Sequence, residues 1–175
     1  MSQLEVVQIP CLSDNYGYLV HDSESKLTAS IDSPALDPIE EALRQNGWVL
    51  THIFNTHHHY DHTGANLELK KRWKCKIIGS NKDSDRIPGL DEGVNDQEIF
   101  SFGNNEVKVF DVSGHTIGHI SFYFPGEEKL FCGDALFALG CGRIFEELQP
   151  KCGRAFKSLK NSPKTPRYIV LTNIL

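Results

Sequence analysis

The spacing of apolar and polar residues shifts between two periods along the chain. Residues 4–9 read as a β-strand that Pro10 stops, since proline cannot donate to a ladder. Residues 15–20 read as a second strand with turn residues on both sides, and residues 26–31 as a third. Ile39, Ala42 and Leu43 then fall at helical spacing, with Pro38 near the start and Gly47 just past the end, which predicts a helix over residues 38–45. Residues 48–55 are apolar and short, the pattern of a buried strand. A helix is predicted over residues 64–73 and a strand over 75–79, while the turn formers and charges of 81–96 predict mostly loop. From Gln97 onward the period is two, giving successive strands over 106–112, 119–124 and 129–132. Strands in direct succession, mixed with helices, predict sheets flanked by helices.

Composition changes this picture little. The 175 residues suffice for one domain with its own core, and no repeat or linker divides them. With 39% hydrophobic and 23% charged residues the chain is an ordinary globular one, not a disordered tail or a coiled coil. Eighteen basic against twenty-three acidic residues give −5, which speaks against a nucleic-acid partner. The basic run at residues 70–76 is therefore read as a solvated helix face. No apolar run has membrane-spanning length, and the first residues lack the pattern of a secretory signal. The five cysteines form no Cys-x-x-Cys pair. A cytoplasmic monomer is expected.

The candidate chemistry lies in the histidines. Four of the eight fall between positions 57 and 62, in a segment that follows a predicted strand and precedes a predicted helix. Such junctions turn several side chains to one point from a rigid base. His57 and His59, two apart, face the same way in extended chain. Asp61 and His62 begin the next turn. Imidazoles with carboxylates suit zinc, iron or manganese. Two further segments repeat the arrangement: Gly114-His115-Thr116 follows the strand ending near Val112, and Gly133-Asp134 follows the strand ending near Phe131. Three strand ends that deliver His and Asp describe one convergent metal site.

These segments, with Asp14-Asn15-Tyr16 and the stretch from Gly133 through Arg143, Ile144 and Phe145 to Glu146, resemble the metallo-β-lactamase superfamily, and within it the glyoxalase II (hydroxyacylglutathione hydrolase) branch. The resemblance runs from about Val7 to Ile169. It implies an α+β fold, an αββα sandwich of two mixed sheets, and two divalent metal ions, zinc first, with iron or manganese as alternatives. It implies His57, His59 and His115 on the first metal, Asp61 and His62 on the second, and Asp134 bridging. Asp61 and Asp134 then stand at the reacting centre. Arg143 and Phe145 match positions that hold the glutathione part of a small-molecule thioester substrate. His58 and His119 are read as orienting or structural residues.

The chain departs from that family at its end. The family carries a further ligand in a Gly-His-Glu-Tyr segment after a late strand; residues 168–170 match the strand, but no histidine follows His119. The helical domain that clamps glutathione is expected to be absent as well. Residues 1–175 are read as the catalytic domain alone, with Asp61, His62 and Asp134 the protein ligands left to the second metal. Weakened thioester hydrolysis is expected. A one-iron persulfide dioxygenase on the same fold and a non-catalytic metal-binding remnant are the alternatives.

Overall fold

The computed structural model describes residues 4–136, 143, 146 and 168–170. Two sheets stack face to face. The first has six strands in the order β1 (Leu4–Cys11), β2 (Asn15–Asp22), β3 (Leu27–Ile31), β4 (His52–Phe54), β5 (Lys76–Ser80), β6 (Glu92–Val94). Its first three strands are antiparallel, and β3 to β6 run parallel. The second sheet pairs β7 (Ile99–Phe102), β8 (Asn105–Asp111), β9 (Ile120–Phe124) and β10 (Lys129–Phe131) antiparallel in chain order, with β11 (Tyr168–Val170) added parallel to β10. The expected α+β class and two mixed sheets are observed.

The long apolar runs follow from burial on both faces. In β4 and β5, Phe54 and Ile78 point into the space between the sheets. Their neighbours Ile53 and Ile77 point to the helix layer of α1 (Leu36–Asn46) and α3 (Asn66–Trp73), where Ile39, Leu43 and Leu69 meet them. The intersheet core is aromatic at its centre. Phe54 has the rings of Phe100, Phe102 and Phe122 at 5.3–5.4 Å. Helix α1 ends as its sequence predicts. Gly47 takes the left-handed conformation (φ 67°), and the Trp48 amide donates to the Leu43 carbonyl.

Several boundaries differ from the pattern reading. β1 runs through Pro10 to Cys11, with Pro10 opposite Tyr16. It is an edge strand, so the missing donor costs no ladder bond on its outer side. Of residues 48–55 only His52–Phe54 is strand. The helix predicted over 64–73 is α3, and a separate one-turn helix, α2 (Tyr60–Thr63), precedes it. The segment 81–96, expected to be mostly loop, contributes β6. Its three residues carry a single large apolar side chain, too short a run for any period to register. Among the described residues no helix is long and apolar enough to cross a membrane.

Candidate metal centre

Four chain segments converge at one end of the sandwich. The chain leaving β3 carries Asp32, the one leaving β4 carries residues 55–62, the one leaving β8 carries His115 and His119, and the one leaving β10 carries Asp134. The Ile120 amide donates to the Thr56 carbonyl at 2.9 Å and so ties the two sheets together at the site itself.

His57, His59 and His115 each offer one ring nitrogen, and the three lie within 4.8 Å of one another. His59 Nδ1 is 3.0 Å from His115 Nε2. The Asp134 carboxylate reaches across the cluster. Its Oδ1 lies 3.2 Å from His62 Nε2 and its Oδ2 lies 3.5 Å from His115 Nε2. Asp61, with its side chain half exposed, places Oδ2 3.6 Å from His62 Nε2. All six residues expected to bind metal thus come together. Arg143 is exposed, and its backbone carbonyl accepts from His115 Nδ1 at 2.6 Å. Phe145 lies outside the described residues.

The hydrogen bonds fix which nitrogen each histidine presents. The Thr56 hydroxyl donates to Asp32 Oδ2 at 2.8 Å and so accepts from His57 Nδ1, 3.1 Å away. His57 Nε2 is left as a lone pair, buried and without a hydrogen-bond partner. Such an orphaned acceptor costs roughly 1–3 kcal/mol unless something fills the site. The same Asp32 carboxylate accepts from His62 Nδ1 at 2.8 Å, which turns His62 Nε2 toward Asp134. Asp32 also offers an oxygen near His57 and His62. Its oxygens are already occupied by the Thr56 amide, the Thr56 hydroxyl and His62, so it orients the two imidazoles and adds no donor of its own. The donor set is imidazole and carboxylate, which fits a divalent cation. Cys132, next to Gly133 and Asp134, adds no thiolate. Burial pushes its pKa up to about 12, and its Sγ faces the Leu136 carbonyl.

Electrostatics divide the cluster. Burial and the neighbouring imidazoles hold His57 well below the ordinary histidine value, and burial lowers His59 as well. Burial opposes charge on His62 too, but Asp32 and Asp134 outweigh it and raise its pKa to about 10. Burial would raise Asp134, yet the hydrogen bond from His62 and the surrounding imidazoles lower it to about 2.

Among the residues around the cluster, pattern reading passed over Asp32, whereas His119 was expected to orient. Asp32 stands at a strand end, as Asp134 does, and that placement was its only signal. Asn15 donates to the Asp61 carbonyl at 2.7 Å, so the first hairpin steadies the ligand loop. His119 donates from Nδ1 to the Ile120 carbonyl and accepts the Asp134 amide at Nε2, 3.1 Å away. Its pKa, lowered by burial to about 3, keeps Nε2 free for that bond. Gly133 holds φ 50°, and a Cβ there would lie 2.5 Å from Thr56 Oγ1, so the turn that presents Asp134 requires glycine. His58 turns away from the cluster and bonds Asp83 at 3.0 Å.

Comparison with known proteins gives the family. The family model of the metallo-beta-lactamase superfamily matches residues 27–169. A hydroxyacylglutathione hydrolase of Methylococcus capsulatus is 48% identical over 160 residues, covering 91% of this chain and 62% of that protein. One from Rhizobium etli is 51% identical over 146 residues, covering 83% and 57%. The chain thus spans about three fifths of the length of these curated relatives. Among solved structures, the BLEG-1 B3 metallo-beta-lactamase superposes with a TM-score of 0.78 at 20% identity, covering 97% of this chain and 91% of that one. ETHE1 from Myxococcus xanthus does so with 0.76 at 24%, covering 98% and 75%. These two likenesses establish the fold.

Proposed function

The chain belongs to the metallo-beta-lactamase superfamily, and from that premise we propose that it hydrolyses the thioester of an S-2-hydroxyacylglutathione to a 2-hydroxy acid and glutathione. The relatives named hydroxyacylglutathione hydrolase support the reaction class. The observation that carries the reading is the span of Asp134, one oxygen toward His62 and the other toward His115. A carboxylate so placed is suited to be shared by two cations.

In this reading His57, His59 and His115 hold one divalent ion, Asp61 and His62 a second, and Asp134 both. Zinc suits the nitrogen and oxygen donors, with iron or manganese the other candidates. Bound there, such ions would lower the pKa of water to roughly 7 and would polarise the thioester carbonyl. The chain's own residues do the positioning. Asp32 turns His62 directly, and His57 through Thr56, so that each presents its Nε2 inward. His119 pins the Asp134 backbone, and Asp134 stays ionised throughout the neutral range. Asp61 and Asp134 would be the carboxylates at the reacting centre. The leaving group is a thiolate, so no strong general acid is required. Arg143, exposed beside His115, would in this reading meet the glutathione part.

The test is thiol release from S-lactoylglutathione by metal-loaded protein, with metal content measured on the same sample. Hydrolysis that Asp134→Ala abolishes supports the reading. Absence of hydrolysis by fully loaded protein would overturn it. A small thioester without the glutathione peptide, run in parallel, separates the chemistry from the grip on glutathione.

A further inference from the structure

A second polar chain leads away from the histidine cluster. Asp83, fully buried, accepts from His58 Nδ1 at 3.0 Å through Oδ2. Its Oδ1 accepts from Arg86 Nε at 3.2 Å and Nη2 at 2.5 Å. Arg86 continues outward as a fork on Glu146, Nη1 to Oε1 at 2.7 Å and Nη2 to Oε2 at 3.3 Å. Glu146 then accepts the Ile117 amide at 2.7 Å. Ile117 lies two residues after His115, whose Nδ1 donates to the Arg143 carbonyl. The path therefore closes on itself, from the histidine loop at 57–59 through Asp83, Arg86 and Glu146 to the His115 loop, and back to Arg143. The packing beneath is tight, since a Cβ at Gly118 would lie 2.1 Å from Asp83 Cγ.

Arg86 and Glu146 are partly exposed, so their pairing contributes little to stability by itself. A planar fork held on one side by a buried carboxylate has another use, which is to fix position. Arg86 is immobilised by Asp83, and Glu146 has both oxygens on Arg86, with Oε2 also accepting the Ile117 amide. Arg143 sits three positions before Glu146 and is tied to His115 through its own carbonyl.

We propose that Arg86 and Glu146 are positioning residues that set Arg143 against the histidine cluster and thereby govern the site's selectivity for the distal part of its substrate. The selectivity rests on the thioester hydrolase reading above; the anchoring does not. The hydrogen bonds of Arg86 and Glu146 described above run to Asp83, to each other and to the Ile117 amide, so their removal should leave metal content intact.

Amide hydrogen exchange at Ile117, metal content, and kcat and KM for S-lactoylglutathione and for a small thioester are to be measured on the protein, Arg86→Ala, Arg86→Lys, Glu146→Ala and the Arg86→Ala/Glu146→Ala pair. Faster exchange at Ile117 in Arg86→Ala, with full metal content, is expected. KM for the glutathione thioester should rise on the order of tenfold in either alanine variant, with kcat little changed and the small thioester unaffected. The double variant should be no worse than either single, because both break one anchor. Arg86→Lys should retain part of the effect. Unchanged Ile117 exchange in Arg86→Ala overturns the anchor, and so does additive loss in the double variant or loss of metal. If the unaltered protein hydrolyses neither thioester, the functional reading falls while the exchange measurement still decides the anchor.

Discussion

Asp32 Oδ2 receives the Nδ1–H of His62 at 2.8 Å, with both side chains fully buried. The same oxygen accepts the Thr56 hydroxyl that orients His57. Asp32→Asn would set an amide donor against one of these donors. The variant should lose roughly 10- to 100-fold in affinity at the His62 position. Competition with a coloured chelator measures this, and an unchanged affinity would show that Asp32 does not orient the ligands.

Metal uptake should release protons. With a pKa of about 10, His62 is doubly protonated at neutral pH, and a cation at Nε2 must displace that proton. Apparent affinity at this position should rise about tenfold per pH unit between pH 7 and 9 and level off above about 10. A flat profile over that range would mean that His62 is not a ligand.

The intersheet core predicts a coupled loss. Phe54 is fully buried among three other rings, and residues 55–57 follow it directly. Phe54→Ala should cost about 3–5 kcal/mol in denaturant unfolding. It should also weaken metal binding, whereas Phe54→Leu should do much less of both.

Asp111 supplies a test of acid stability away from the ligands. Burial would raise its pKa, but Lys82 at 2.8 Å and the Ser113 hydroxyl and amide outweigh that and lower it to about 2. A depressed carboxylate contributes stability that is complete above its unfolded value and is lost as pH falls from about 4 to about 2. Asp111→Asn should therefore lower stability by about 2 kcal/mol at pH 7 and flatten its acid dependence. Equal stability of the two proteins at pH 7 would refute this.

Much of the architecture was legible because burial on two faces leaves a plain trace, such as Ile53-Phe54 and Ile77-Ile78. The clustered histidines and Asp134 were legible for another reason, since His57, His59, His115 and Asp134 sit where strands end and glycine or histidine neighbours mark the turn. Asp32 and Asp83 were not. A single aspartate after a strand has the same local pattern whether it caps a turn or orients two histidines, and only the fold brings Thr56 and His62 to it. β6 escaped because three residues cannot show a period. Pro10 misled because its effect depends on whether the strand lies at an edge, which is a property of the sheet.

The closure of the site by both sheets carries a mechanical consequence. His57, His59 and His62 hang from one sheet, while His115 and Asp134 hang from the other, and the Ile120 amide joins them at Thr56. Neither sheet alone owns a complete set of donors. A bound cation is accordingly a rivet through two plates: its dissociation constant gauges their alignment, and a strain that slides one past the other would be felt as lost metal before it is felt as lost fold.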